Sequence, residues 1–244
     1  MRTLRAVWRL LACVACTFQG ALICGLVFPF LKPPQRMQTV GRWSTRMLNA
    51  LGVSLRVSGT PRPGATLFVS NHISWLDILA VNAVQPVRFV SKADVRHWPL
   101  LGWLVACGGT LFIERERKRD ALRVVHLVAD ALKHGEKVAV FPEGTTGDGH
   151  ALLPFHANLL QAAIATETPV QAIALRFSDA QHAVSPAVAF LGDTTLAQSF
   201  WQVVMATDLC AQVRMLAPQA TRHLDRRALS EKLRDEIGGA LDAE

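Results

Sequence analysis

The chain has 244 residues, half of them hydrophobic, with 26 lysines and arginines against 19 acids and a formal net charge of +7. That length holds one fair-sized domain with an appendage, and the charge suits an anionic partner such as nucleic acid, anionic lipid or a phosphorylated substrate. Apolarity joined to basicity favours a membrane surface, and the lack of Tyr and of aromatic residues interleaved with cations argues against a single-strand nucleic-acid binder.

Residues 10–31, LLACVACTFQGALICGLVFPFL, carry no charge and only Thr17 and Gln19 as clearly polar residues. About 20 apolar residues suffice to span a bilayer, and a signal-peptide core runs to only about 15. Cys13 and Cys16 form a C-x-x-C inside this run, where packing in lipid is a better reading than a redox pair. The remaining cysteines show no metal or disulfide spacing. Arg2, Arg5 and Arg9 precede the run, while Lys32, Arg36, Arg42 and Arg46 follow it, so charge does little to orient it. The segment reads as a retained anchor, either spanning or lying as a hairpin in one leaflet.

After Pro33-Pro34, the residues Met37, Val40, Trp43 or Ser44, Met47 and Leu48 recur at helical spacing, with Arg36, Arg42 and Arg46 mostly elsewhere around the axis. A basic amphipathic helix with a Trp suits a membrane interface; packing on a soluble core is an equal alternative. Residues 1–52 are thus expected to form the anchor with its amphipathic helix, and 53–244 the folded domain.

In that domain, ATLFVS (65–70), VRFVS (87–91), GTLFIE (109–114), KVAVFP (137–142), PVQAIALRF (169–177) and AVAFLG (187–192) read as buried strands. Amphipathic stretches lie between several of them. Over 118–134, Leu122, Val125, Ala129 and Leu132 share a face, with Gly135 as a stop. Residues 155–166 predict another helix, and Leu229, Leu233, Ile237 and Leu241 a C-terminal one with a solvated charged face. The alternation predicts an α/β fold, a mixed and largely buried sheet flanked by helices.

Three stretches carry chemistry. FVSNHISWLDILA places His72 at a strand end and Asp77 in the following helical turn. An imidazole acts as a general base when a carboxylate fixes its tautomer. Neither a G-x-S-x-G elbow nor a partnered cysteine occurs, so the pair would deprotonate the substrate's own hydroxyl. Taken alone, the segment reads better as a helix start with its caps. GGTLFIERERKRD sets Arg115 directly off an apolar strand end, where α/β folds place ligands, and Arg suits phosphate. Arg117, Lys118 and Arg119 read better as a solvated helix start. In VAVFPEGTTGDG, Gly144, Gly147 and Gly149 permit tight turns, and Thr145, Thr146 and backbone N–H groups suit a phosphate or an oxyanion. The loop lacks the G-K-[ST] of a nucleotide P-loop, and a plain turn is an equal reading.

Together, N-H-x4-D, G-x-L-F-I-x-R and F-P-E-G-T resemble the glycerolipid acyltransferase family over roughly residues 45–195. The match is nearest to bacterial 1-acylglycerol-3-phosphate acyltransferases, also called lysophosphatidic acid acyltransferases. The resemblance implies that His72 is the base and Asp77 orients it. It further implies that Arg115 binds the glycerol phosphate, that Glu143, Gly144 and Thr145 help form the acceptor site, and that Lys92 lies near the phosphate. The implied donor is acyl-CoA or acyl-carrier protein, the acceptor a lyso-lipid, and the product phosphatidic acid. No cofactor, metal or nucleic acid is expected, and the implied location is the bacterial inner membrane with the catalytic domain on the cytoplasmic side.

Two departures stand out. Thr146 replaces the arginine that usually follows Glu-Gly-Thr, and TPVQAIALRF keeps Pro169 without a second proline. The Thr-Thr-Gly-Asp-Gly form also resembles lyso-ornithine lipid acyltransferases and some lysophospholipid acyltransferases. A membrane lipid-binding module without chemistry is the alternative from another class.

Overall fold

The computed structural model describes residues 2–113 and 118–243, the last stretch with backbone alone over 118–121. Helix α1 (Arg2–Leu22) runs on through π and 3-10 turns to Phe30, and α2 (Pro33–Leu51) folds back beside it. Strands β1 (Ser54–Ser58) and β2 (Thr66–Ser70) are followed by α3 (Leu76–Val84) and β3 (Arg88–Lys92). A 3-10 turn at Ala93–His97 leads to α4 (Leu101–Cys107) and β4 (Leu111–Ile113), then α5 (Lys118–Lys133) and β5 (Lys137–Val140). The chain closes with α6 (Leu160–Ala165), β6 (Val170–Ser178), α7 (Leu196–Met205), β7 (Cys210–Gln219) and α8 (Arg226–Asp242).

The strands form one sheet in the order β1-β7-β6-β2-β5-β3-β4, parallel except where β6 meets β7. All five residues of β2 are buried, as a central strand covered on both faces demands. Its side chains alternate between two cores. Phe68 joins α1, α2, α3 and α7, while Leu67 and Val69 join α5, α6 and α8. On β6, Ile173, Leu175 and Phe177 face the first core and Ala172 and Ala174 the second. Burying a side chain such as Phe68 contributes roughly 1.5–3 kcal/mol. The fold is the mixed α/β sandwich that the strand–helix alternation predicts.

Helix α2 lays Gly41, Ser44, Met47, Leu48 and Leu51 into the first core, so its apolar stripe serves core packing. Helix α8 buries Leu229, Leu233 and Ile237 as spaced, and Asp225 caps it by accepting the Arg227 and Ala228 N–H groups.

Several local expectations need correction. Residues 187–192 do not form a strand: Pro186 starts a 3-10 turn through Val188, and Ser185 accepts the Ala187 N–H. The core face of α5 is Val124, Val128, Ala131 and Leu132, leaving Leu122 exposed; the stripe is rotated because α5 packs on β4 and β5 near its middle and end. The helix expected over 155–166 begins with a 3-10 turn at Ala157. Periodicity does not single out strands β1 and β7 or helices α4 and α7. Residues such as Arg56, Gln212, Arg214 and Pro218 interrupt the apolar pattern of the two strands.

Candidate active site

Strands β2, β5, β3 and β4 lie side by side and point the same way. Their C-terminal ends therefore share one edge of the sheet, the place where open α/β sheets bind ligands. His72 follows β2, Glu143 follows β5, and Lys92 ends β3. Arg115 follows β4 but lies outside the described residues.

Local chemistry turns the chain at His72. Beyond the last β2–β6 rung, Asn71 replaces backbone pairing with its side chain. Its Nδ2 donates to the Leu175 carbonyl at 2.8 Å and its Oδ1 accepts the Leu175 N–H at 2.8 Å. The chain then leaves the sheet, and Asp77 in the first turn of α3 reaches back. Its Oδ2 accepts the Ile73 N–H at 2.7 Å and the Ser74 N–H at 3.0 Å, and stands 2.7 Å from His72 Nδ1. An acid in the first helical turn is also favoured by the helix dipole. Asp77 is fully buried, whereas the His72 side chain is 20% exposed. A carboxylate accepts, so Nδ1 carries the proton and Nε2 is left with a free lone pair.

The ring is held on its face as well. Phe141 stacks on it at 4.0 Å between centroids with a 10° interplanar angle, and Phe89 of β3 stacks behind Phe141 at 5.6 Å. Glu143 is buried and has both oxygens engaged: Oε1 accepts the His72 N–H at 2.8 Å and Oε2 the Leu153 N–H at 3.0 Å. Burial pushes its carboxyl above the ordinary value, while the two backbone donors and His72 pull it down. The Gly147 N–H donates to the His72 carbonyl at 2.8 Å, closing the 143–147 loop onto the same residue. Gly144 supplies the tight turn with φ 73° and an N–H bond to the Phe141 carbonyl.

A cavity of about 550 Å³ opens along this edge, lined among others by His72, Glu143, Gly147, Arg176, Arg234 and Asp235. Of the residues expected from sequence, His72, Asp77, Glu143 and Gly144 come together. Thr145 is exposed on the loop, and Lys92 is exposed at the end of β3, two strand positions from β2, roughly 10 Å by strand spacing. The Thr146 hydroxyl donates to the Phe190 carbonyl.

Arg176 and Arg234 were not expected here. A cation at position 176 interrupts the buried run of β6, which is a readable signal. Arg234 looked like part of a solvated face, yet it is half-buried and donates to the Leu153 carbonyl at 3.2 Å and the Leu152 carbonyl at 2.9 Å.

Residues 54–176 match the acyltransferase family model. A lyso-ornithine lipid O-acyltransferase of Pseudomonas aeruginosa is 34% identical over 85% of this chain and 80% of its own length. A 1-acyl-sn-glycerol-3-phosphate acyltransferase of Neisseria meningitidis is 36% identical over 84% of this chain and 81% of its own. The crystal structure of the 1-acyl-sn-glycerophosphate acyltransferase PlsC from Thermotoga maritima superimposes with a TM-score of 0.70 over 98% of both chains at 16% identity, a likeness of fold. By family model and by relatives over most of its length, the chain belongs to the acyltransferase family.

Proposed function

We propose that this acyltransferase moves a fatty acyl group from a thioester donor, acyl-CoA or acyl-carrier protein, to the free hydroxyl of 1-acylglycerol-3-phosphate, giving phosphatidic acid. The observation that carries the reading is the His72–Asp77 contact of 2.7 Å at the sheet edge, beside an open cavity. A lipid-binding module without chemistry has no use for an imidazole held on one nitrogen and one face.

The mechanism follows from that geometry. His72 Nε2 takes the proton of the acceptor hydroxyl as its oxygen attacks the thioester carbonyl. The tetrahedral intermediate carries an oxyanion, for which the Thr145 hydroxyl and backbone N–H on the loop after β5 are the proposed donors. Collapse breaks the carbon–sulfur bond, and the imidazolium returns its proton to the leaving thiolate. General-base help contributes roughly 10²–10⁴-fold, and holding two substrates in line supplies a further proximity effect. Asp77 steadies the imidazolium without taking its proton. Arg115 and Lys92 are the proposed phosphate partners.

The anchor fits the same reading. Leu4, Trp8, Leu11, Val14, Phe18, Leu22, Leu26 and Phe30 form one exposed apolar row on the helical segment Arg2–Phe30. The opposite face is fastened to α2 and to the end of α7. Arg9 donates to the Val204 and Ala206 carbonyls, Arg5 to Thr207, the Trp43 indole to the Cys16 carbonyl, and Arg46 to Gln19. A helix tied down along its length, with one apolar row outward, suits one leaflet better than a crossing of the bilayer.

A second acceptor class has specific support. Thr146 brings no cation to the loop, and Arg176 and Arg234 share the cavity with Asp235 and Asp242. A cavity lined by both signs suits a zwitterionic lyso-ornithine headgroup. The test is acyl transfer from labelled acyl-CoA and acyl-carrier protein by the reconstituted full chain, using lysophosphatidic acid, lyso-ornithine lipid and lysophosphatidylethanolamine. Fastest transfer to lysophosphatidic acid supports the proposal. Preference for lyso-ornithine lipid replaces it with the second reading, and no transfer to any acceptor removes both.

A further inference from the structure

The crossover from β3 to β4 carries an apolar surface outside the anchor. In Trp98-Pro99-Leu100-Leu101-Gly102-Trp103 only Gly102 is buried, while Trp98 is 41% exposed, Leu100 51%, Leu101 37% and Trp103 45%. Crossovers between parallel strands normally turn such residues onto the sheet. Here the backbone turns them away from it. Leu100 has φ 59°, a positive value that a leucine rarely adopts. Gly102 is pressed against the preceding turn, since a Cβ there would stand 2.3 Å from the Arg96 carbonyl oxygen. Helix α4 thus docks through a glycine backbone and presents its large side chains outward.

What lies beside this surface names its occupant. A Cβ on Gly25 would stand 3.8 Å from Trp103 Cη2. The crossover therefore abuts the end of the anchor, where Leu22, Leu26 and Phe30 face outward. Lys92, Arg96 and His97 are exposed along its start, with Asp94 as the acid among them. Indoles and leucines rimmed by cations suit a bilayer interface, and their continuity with the outward apolar row of the anchor selects that occupant.

We infer that Ala93–Cys107 is a second membrane-inserting element, which sinks Trp98, Leu100, Leu101 and Trp103 into the leaflet on which α1 lies. The inference rests on the reading of α1 as the anchor. Its consequence is positional. The crossover starts at Lys92, on the catalytic edge, and returns into β4, whose far end meets the same edge. Seating it in lipid holds that edge against the leaflet, so that a lyso-lipid reaches His72 without its chain leaving the bilayer.

The test uses the full chain in vesicles of phosphatidylethanolamine and phosphatidylglycerol with brominated acyl chains, which quench indoles sunk in lipid. Trp98→Phe/Trp103→Phe is expected to lose part of the bromolipid-quenched fluorescence, as is Trp8→Phe on α1. Loss with Trp8→Phe alone overturns the inference and leaves the anchor standing. No loss with either overturns both. As a second arm, Leu100→Asp is expected to slow transfer to vesicle-embedded acceptor about tenfold, in keeping with the cost of an acid in lipid. Transfer to a short-chain acceptor dispersed in detergent is expected to stay near the wild-type rate. Equal slowing in vesicles and detergent contradicts the inference.

Discussion

Glu143 grips the backbone of His72 and not its ring. One carboxylate oxygen accepts the His72 N–H at 2.8 Å, the other accepts the Leu153 N–H at 3.0 Å, and the ring turns instead to Asp77. The Glu143 side chain thereby ties the strand-end turn that bears His72, the proposed base, to the loop that follows β5. Glu143→Gln keeps the shape but has one acceptor oxygen for two donors. It leaves a buried backbone N–H unpaired, at a cost of about 1–3 kcal/mol. The expected outcome is a fall in kcat of about tenfold to a hundredfold with donor KM little changed, read from initial rates in one detergent. A rise in acceptor KM alone, at unchanged kcat, would show direct acceptor binding instead.

The same carboxylate predicts a pH dependence of stability. Burial raises its pKa above the ordinary value, so the folded chain keeps this proton to higher pH than the unfolded chain. The contribution is full below the unfolded value of about 4.3 and is lost as pH rises through the raised native value. Glu143→Gln removes the titration. Melting temperatures of the two proteins, compared from about pH 4 to about pH 7, are expected to shift in favour of the variant as pH rises. A difference that stays constant across the range contradicts the assignment.

Asp77 meets three N–H groups through one oxygen, two from the backbone and one from the imidazole. Asp77→Asn preserves volume but removes the charge that, in the proposed mechanism, steadies the imidazolium and selects its tautomer. Turnover is expected to fall roughly 10²–10⁴-fold, with KM for both substrates near the wild-type value. A loss smaller than about tenfold would mean that the carboxylate serves only as a turn cap.

Arg234 holds the Leu152 and Leu153 carbonyls from α8 while Glu143 holds the Leu153 N–H from the other side. On the proposed mechanism it is a positioning residue, acting on His72 through the loop and Glu143. Arg234→Ala is expected to lower kcat by roughly tenfold, and Arg234→Lys to recover part of it, since an ammonium reaches the carbonyls without the planar fork. Rates are taken well below each variant's melting temperature. Unchanged kcat with a lowered melting temperature would mark the contact as purely structural.

The legible parts of the molecule were those where one side chain type repeats or one motif stays local. Central strands such as Thr66–Ser70 and Val170–Ser178 are continuous apolar runs because both faces are covered. His72 and Asp77 lie five residues apart, and a single backward turn joins them. Strand β7 was hidden because Gln212, Arg214 and Pro218 break its pattern, and its partners β1 and β6 are distant in sequence. Arg234 was unreadable for a similar reason: a lone cation on an amphipathic helix gives no sign that carbonyls some eighty residues earlier need a donor. The part played by Phe141 was equally silent, since stacking on an imidazole leaves no periodic trace.

The most direct measurement is the turnover of His72→Ala, purified and reconstituted in the same vesicles as the wild type, with saturating acyl donor and lyso-lipid acceptor. Loss of the imidazole is expected to reduce acyl transfer by at least about a hundredfold while vesicle binding through α1 is retained. Acyl transfer within about tenfold of the wild-type rate, from protein equally bound to vesicles, would show that another group takes the proton.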